Sequence, residues 1–172
     1  GTPSADILIA IPADPSSLFL IARSISALFG AATPVFVYLI TRRLWGKTTA
    51  LIAALFTSLC YLHVRDSHFG TTDVTAAFFT VGSVFFILDA FEQKRPRDYI
   101  RAGLFAGMAA ATKYGSILVV LPMLAAHLIL HTDSRTSLGR QLRSLVTSAV
   151  RDRRIWFYAA AVLLSFLAFT PF

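Results

Sequence analysis

Six side chains in this sequence are of types that do chemistry and stand where a shared site is feasible: Arg23, Arg65, Asp66, His68, Asp73 and Lys113. Four of them fall in the segment 65–73, Arg-Asp-Ser-His-Phe-Gly-Thr-Thr-Asp. Arg23, Arg65 and Lys113 are cations set within or beside long apolar runs. Ionisable groups at membrane depth are costly and face a cavity or a partner. Three cations on one membrane face suit a phosphate-bearing ligand, because guanidinium offers a planar fork and ammonium a point charge. Asp73 stands immediately before an apolar run. A carboxylate there is held ionised by the helix dipole, and Asp73 or Thr72 equally fits a plain N-cap. His68 and Asp66 offer partial support for an acceptor group or a divalent metal, and His68 fits an interfacial, backbone-bonded role as well. Structural roles also stand open for the cations: Arg65 as an interface anchor, Arg23 snorkelling out of its span, and Lys113 paired with Asp73 or Asp66.

These residues need elements to hold them, and the composition says which kind. The 172 residues are 56% hydrophobic and 15% charged, with a mean hydropathy of +0.67. Soluble domains run at about 45–50% apolar and about 25% charged. A disordered chain is excluded and a simple soluble domain is disfavoured. The single cysteine, Cys60, excludes an internal disulfide framework and a cysteine-based zinc site. A membrane span needs about 20 mostly apolar residues. The sequence predicts spans near 18–40, 48–64, 74–91 and 155–172, the first interrupted by Arg23 and the second free of Asp, Glu, Lys and Arg. The stretch 102–130 is too long for one helix, at about 43 Å against a core of about 30 Å. It breaks at Thr112-Lys113-Tyr114-Gly115. Two short spans, 99–113 and 115–130, or a re-entrant hairpin, account for it. The fold class is all-α, a polytopic transmembrane bundle of about six spans forming one module over 1–172. The start at Gly1 and the stop at Thr170-Pro171-Phe172 suggest a module truncated at both ends.

Charge supports this layout. The loops 42–47, 92–101 and 131–154 hold 13 of the 16 Lys and Arg. Two crossings through 102–130 put all three loops on one side, which the positive-inside rule makes cytoplasmic. That sorting accounts for most of the net charge of +7, so the basic pI of about 10.2 is not a nucleic-acid signal. No basic stripe with interleaved aromatics is present, and no nucleic-acid partner is expected. The partner is the lipid bilayer. Leu138, Leu142, Leu145, Val146 and Ala149 have the spacing of an amphipathic interfacial helix. Gly103 and Gly107 form a GxxxG pattern that predicts close helix packing. Pro34 and Pro122 lie inside spans, where proline breaks or kinks a helix.

Four segments occur in an order that carries a resemblance: Ile21-Ala-Arg-Ser-Ile-Ser-Ala-Leu-Phe-Gly30, Tyr38-Leu-Ile-Thr-Arg-Arg-Leu-Trp-Gly46, 65–73, and Ala102-Gly-Leu-Phe-Ala-Gly-Met-Ala-Ala-Ala-Thr-Lys-Tyr114. Over nearly the whole chain they resemble the dolichyl-phosphate-mannose protein mannosyltransferase-like family of GT-C glycosyltransferases. The resemblance implies a multi-pass enzyme of the cell membrane, bacterial or archaeal. It would move sugar from a polyprenyl-phosphate donor to a protein, lipid or glycan acceptor on the extracytoplasmic face, usually with inversion. It implies Asp73 as the family's acidic residue after the second outer loop, with a catalytic role, and Arg65 and Lys113 as donor-phosphate ligands; Arg23, the third cation suited to that phosphate, falls in the family's R-x-x-S-A-L-like start of a span. Whether a divalent metal takes part stays open. The family's principal carboxylate belongs to a first outer loop that would lie before Gly1, so this stretch alone is expected to be inactive. The competing reading is a transporter or flippase segment, whose pathways are also lined by membrane-buried charges.

Overall fold

A computed structural model describes residues 16–131, 147 and 150–170, and every element among them is helical. Expectations for the amphipathic residues Leu138, Leu142, Leu145, Val146 and Ala149, and for residues 171–172, fall outside the described residues. The elements are α1 (Ser16–Trp45), α2 (Lys47–Leu59), α3 (Tyr61–Phe69), α4 (Thr72–Gln93), α5 (Pro96–Thr112), a 3-10 helix (Tyr114–Val119), α6 (Val120–His131) and α7 (Arg153–Phe169). By length and composition, α1 and α4 can each cross a membrane, and α2 with α3 adds a third span if that bent pair is counted as one.

Local sequence sets the boundaries. Gly46 adopts a φ of 88° and lets the chain turn sharply between α1 and α2. The apolar stretch read as 48–64 is two helices bent by 52° at Cys60. Just before the bend, the hydroxyls of Thr57 and Ser58 donate to the carbonyls of Ala53 and Ala54, each at 2.8 Å. Such back-bonding weakens and bends a helix. The segment 65–73, expected as a loop, is mostly helical, with α3 running through Phe69. Gly70, at φ 72°, ends α3 in the left-handed conformation, and Thr71, in extended conformation, opens α4. This is the usual glycine helix stop followed by a new start. Pro96 occupies the first turn of α5, where its missing N–H costs nothing. Pro34 lies inside α1, which nonetheless runs on to Trp45.

Among the described residues the core cluster draws on α4, α5, the 3-10 helix, α6 and α7, through Ile87, Tyr99, Val119, Met123 and Tyr158 among others. Helix α5 packs between α4 and α7, and α1 packs on α4, reaches α5 through Phe36 and Phe105, and carries α2 and α3. The α5 face is built from small residues, with Ala102, Gly103, Ala106, Gly107, Ala109 and Ala110 all buried. A Cβ on Gly103 would fall 2.5 Å from the Tyr158 carbonyl and 2.8 Å from Ala161 Cβ, and one on Gly107 would strike Ser165 Oγ and the Val162 carbonyl. The GxxxG pattern therefore marks the α5–α7 contact, where the backbones approach within side-chain distance. Between α1, α4 and α5 the packing changes to rings. Phe29 stacks on Phe78 at 4.9 Å, Phe36 on Phe78 at 5.3 Å, and Phe86 on Phe105 at 5.0 Å. Gly82 on α4 makes room for Phe105, and Ser83 donates to the Ala102 carbonyl at 3.0 Å.

Candidate functional site

Antiparallel passes sort the charged residues to two ends of this bundle. One end gathers the last turn of α1, the end of α4 and the start of α5. There Arg43 donates to Asp89 at 2.7 Å and to Glu92 at 2.5 Å, and Asp98 sits buried with Arg97 and Arg101 each 3.8 Å away. The other end gathers the first turns of α1, helix α3, the start of α4 and the turn after α5. All six residues singled out from the sequence lie there.

The ion pair between Lys113 and Asp73 is the nearest thing to a site at that end. Helix α5 stops at Thr112 and the next residue, Lys113, is extended, with φ −150° and ψ 114°. Its N–H still bonds the Ala109 carbonyl at 2.9 Å, so the ammonium is projected from a closed helix terminus. Asp73 is in the first turn of α4, whose cap residue Thr71 makes no side-chain cap bond. The carboxylate thus sits in the first turn, near the positive end of the α4 dipole. Of the two roles open for Asp73, capping is not what the structure shows, and the expected pairing with Lys113 is. Both side chains remain about half exposed, at 51% and 58%, which leaves them accessible to a ligand. An ammonium has three donors, so the bond to Asp73 leaves Lys113 with capacity for an anion.

The remaining residues are brought near but are otherwise engaged. Arg65 donates through Nε to Asp66 Oδ1 at 2.9 Å and lies over the Tyr61 ring at 5.9 Å. Arg23 donates through Nε to the carbonyl of His68 at 2.7 Å, which ties α1 to the end of α3. His68 donates through Nδ1 to the Val64 carbonyl at 2.8 Å. Among the described residues no group of three or more His, Cys, Asp or Glu stands together as a cation-binding set. His68 with Asp66 does not by itself make one.

Sequence reasoning passed over His63. It falls in the stretch read as a span without charged residues, and the structure sets it against α1, where Nε2 donates to the Gly30 carbonyl at 2.9 Å. A pocket of about 360 Å³ opens beside it, lined by Gly30, Ala31, Pro34, Ser58, Ser67 and His68 among others. The signal available in the sequence was Pro34: a proline inside a span deprives a carbonyl of its donor, and a polar residue must make good the loss. A second, apolar groove of about 480 Å³ runs between α6 and α7 and reaches Tyr114, next to Lys113.

With the geometry in place, comparison with known proteins adds the following. A family model described as dolichyl-phosphate-mannose-protein mannosyltransferase matches residues 16–172. An uncharacterized protein of Aquifex aeolicus (strain VF5) is 32% identical over 101 residues, which is 58% of this chain and 20% of that protein. The chain thus matches about a fifth of the length of that relative. No solved structure matches.

Proposed function

The chain belongs to the dolichyl-phosphate-mannose-protein mannosyltransferase family, and from that premise we propose that it forms part of a GT-C-type glycosyltransferase that uses a polyprenyl-phosphate sugar. Its apolar helices and its family make it a membrane protein. The further reading is a multi-pass protein of the plasma membrane with its site on the extracytoplasmic face. The basic end, with Arg42, Arg43, Lys47, Lys94, Arg95, Arg97 and Arg101, then faces the cytoplasm in accord with the positive-inside rule.

In the proposed reaction an acceptor hydroxyl attacks the anomeric carbon of the donor sugar. The new carbon–oxygen bond forms as the bond to the phosphate oxygen breaks, and its electron pair leaves on the polyprenyl phosphate. The acceptor proton passes to a carboxylate base. General-base assistance of this kind contributes about 10²–10⁴-fold. Lys113, with Arg65 in support, neutralises the charge growing on the leaving phosphate, the electrostatic contribution that is commonly the largest single one. Asp73 orients the acceptor hydroxyl and holds the Lys113 ammonium in place. Arg23 acts through its bond to α3. The polyprenyl chain is an apolar ligand, and the groove that ends at Tyr114 offers it a path beside Lys113.

The observation that carries this reading is the exposed Asp73–Lys113 pair, formed by two residues forty positions apart at the end of the bundle opposite the basic loops. The transporter reading has the bend at Cys60 in its favour, since transporters use broken helices. One experiment separates the two. The whole protein, purified into liposomes, is given a polyprenyl-phosphate mannose and hydroxylated acceptors. Transfer of the sugar to an acceptor supports the enzyme reading. Movement of the lipid-linked sugar across the bilayer without any transferred product refutes it.

A further inference from the structure

Pro34 has no N–H, so the Gly30 carbonyl in α1 loses the donor that an α-helix supplies four residues further on. In an apolar surround an unpartnered carbonyl is costly. The missing donor comes from another helix: His63 Nε2–H of α3 reaches Gly30 O at 2.9 Å. One turn further along α3, Ser67 lies directly over Gly30, where any Cβ would collide with its hydroxyl and approach its Cβ to 2.9 Å. The Ser67 hydroxyl donates back to the His63 carbonyl at 2.6 Å. The same face of α1 then makes two more bonds to the end of this unit. Arg23 Nε donates to the His68 carbonyl at 2.7 Å, and Ser26 Oγ to the Thr71 carbonyl at 3.5 Å. Residues 23, 26 and 30 share a face at helical spacing. Thr71 immediately precedes α4, whose second residue is Asp73. Helix α3 is therefore registered on α1 at three levels, and the last of them adjoins the carboxylate that holds Lys113.

We propose that His63 is a positioning residue: by supplying the hydrogen bond that Pro34 withdraws from Gly30, it fixes α3 on α1 and so sets Asp73 against Lys113. The effect on turnover rests on the transferase reading above, whereas the placement of Asp73 does not. The link predicts a specific coupling. With alanine at position 34, Gly30 regains a donor from its own helix, and the His63 bond becomes dispensable. With glutamine at position 63, a side-chain N–H is kept.

The test uses the whole protein with His63→Ala, His63→Gln, Pro34→Ala and the double variant Pro34→Ala/His63→Ala. Its first readout is the rate at which a water-soluble succinimidyl ester acylates Lys113, followed at that residue by mass spectrometry. An amine held by Asp73 reacts slowly, and one released from it reacts faster. His63→Ala is expected to accelerate acylation of Lys113 several-fold and to leave Lys47 and Lys94, at the opposite end, unchanged. His63→Gln is expected to restore the slow rate. In the Pro34→Ala background, loss of His63 is expected to have much less effect. An unchanged Lys113 rate in His63→Ala, or an equal acceleration with and without Pro34, overturns the proposal. If His63→Ala does not fold, His63→Asn, whose shorter amide falls short of Gly30, takes its place under the same criteria. The second readout is sugar transfer: kcat should fall about 10–100-fold in His63→Ala, the scale of a misplaced catalytic group, and recover in His63→Gln. A normal kcat alongside faster acylation also overturns the positioning role. If the unaltered protein transfers no sugar, the transferase reading fails, and Lys113 acylation still decides whether His63 places Asp73.

Discussion

At the scale of single residues, the two ends of the bundle hold their charges in different ways. Arg43 and Asp89 are mostly shielded, with side chains 22% and 16% exposed, whereas Glu92 is half exposed. Shielding strengthens an ion pair, while exposed pairs contribute about 0.2–1 kcal/mol. A double-mutant cycle on Arg43→Ala and Asp89→Ala should therefore give a coupling of about 1 kcal/mol, at or above the top of the exposed range. The Arg43→Ala and Glu92→Ala cycle should give less, and thermal unfolding in detergent at low and high salt measures both. Equal couplings, or a reversed order, contradict the structural ranking. Lys113 and Asp73, both about half exposed, contribute little to stability on the same argument, and in the proposed reaction their role is in binding. Replacing Lys113 by alanine should leave the unfolding temperature nearly unchanged and lower kcat for sugar transfer by about 10²-fold, the cost of removing one preorganised electrostatic donor. A kcat equal to that of the unaltered protein removes Lys113 from the mechanism. The residue types at this end were legible in the sequence, because charges are rare in so apolar a chain. Their partners were less so. The sequence allowed Lys113 to pair with Asp66 or Asp73, and only the fold gives Asp66 to Arg65.

At the scale of elements, the contact between α5 and α7 depends on the absence of side chains. Gly107→Ala places a methyl onto Ser165 Oγ and the Val162 carbonyl, and Gly103→Ala places one against the Tyr158 carbonyl. Backbone atoms cannot rotate away, so the helices must separate, and overpacking of this kind costs about 1–3 kcal/mol. Gly115, in the 3-10 helix, has nothing within 4 Å of an added Cβ, so Gly115→Ala should change stability by no more than about 0.5 kcal/mol. Thermal melts of the three variants in one detergent test this ordering, and a Gly107→Ala protein as stable as Gly115→Ala contradicts it. The glycine spacing announced this contact in advance. The break at Lys113 was also legible, since a polar four-residue interruption divides a run too long for one span. The bend at Cys60 was not, because residues 48–64 hold no Gly, Pro, Asp, Glu, Lys or Arg and the signal is only hydroxyls bonding back to their own helix at Thr57 and Ser58. Nor was the helical state of 65–69: its polar residues read as loop, and the glycine that ends α3 at Gly70 is the sole punctuation.

At the scale of the whole molecule, α4 runs antiparallel to α5, and α5 parallel to α7, which fixes which residues share an end, and the charge distribution is the ground for the proposed orientation of those ends in the membrane. With Cys60 replaced by serine, a cysteine at Gly115 should react with a membrane-impermeant maleimide added outside intact cells, and one at Arg97 should react only after permeabilisation. Labelling of both from the same side contradicts the orientation and with it the extracytoplasmic site. The central claim is that Asp73 and Lys113 form the working end of a sugar transferase, and one measurement tests it most directly. The whole protein and its Asp73→Asn variant, matched for expression and unfolding temperature, are assayed for transfer of sugar from a polyprenyl-phosphate donor to acceptor. The account predicts transfer by the unaltered protein and none by Asp73→Asn. Undiminished turnover by a folded Asp73→Asn protein contradicts it.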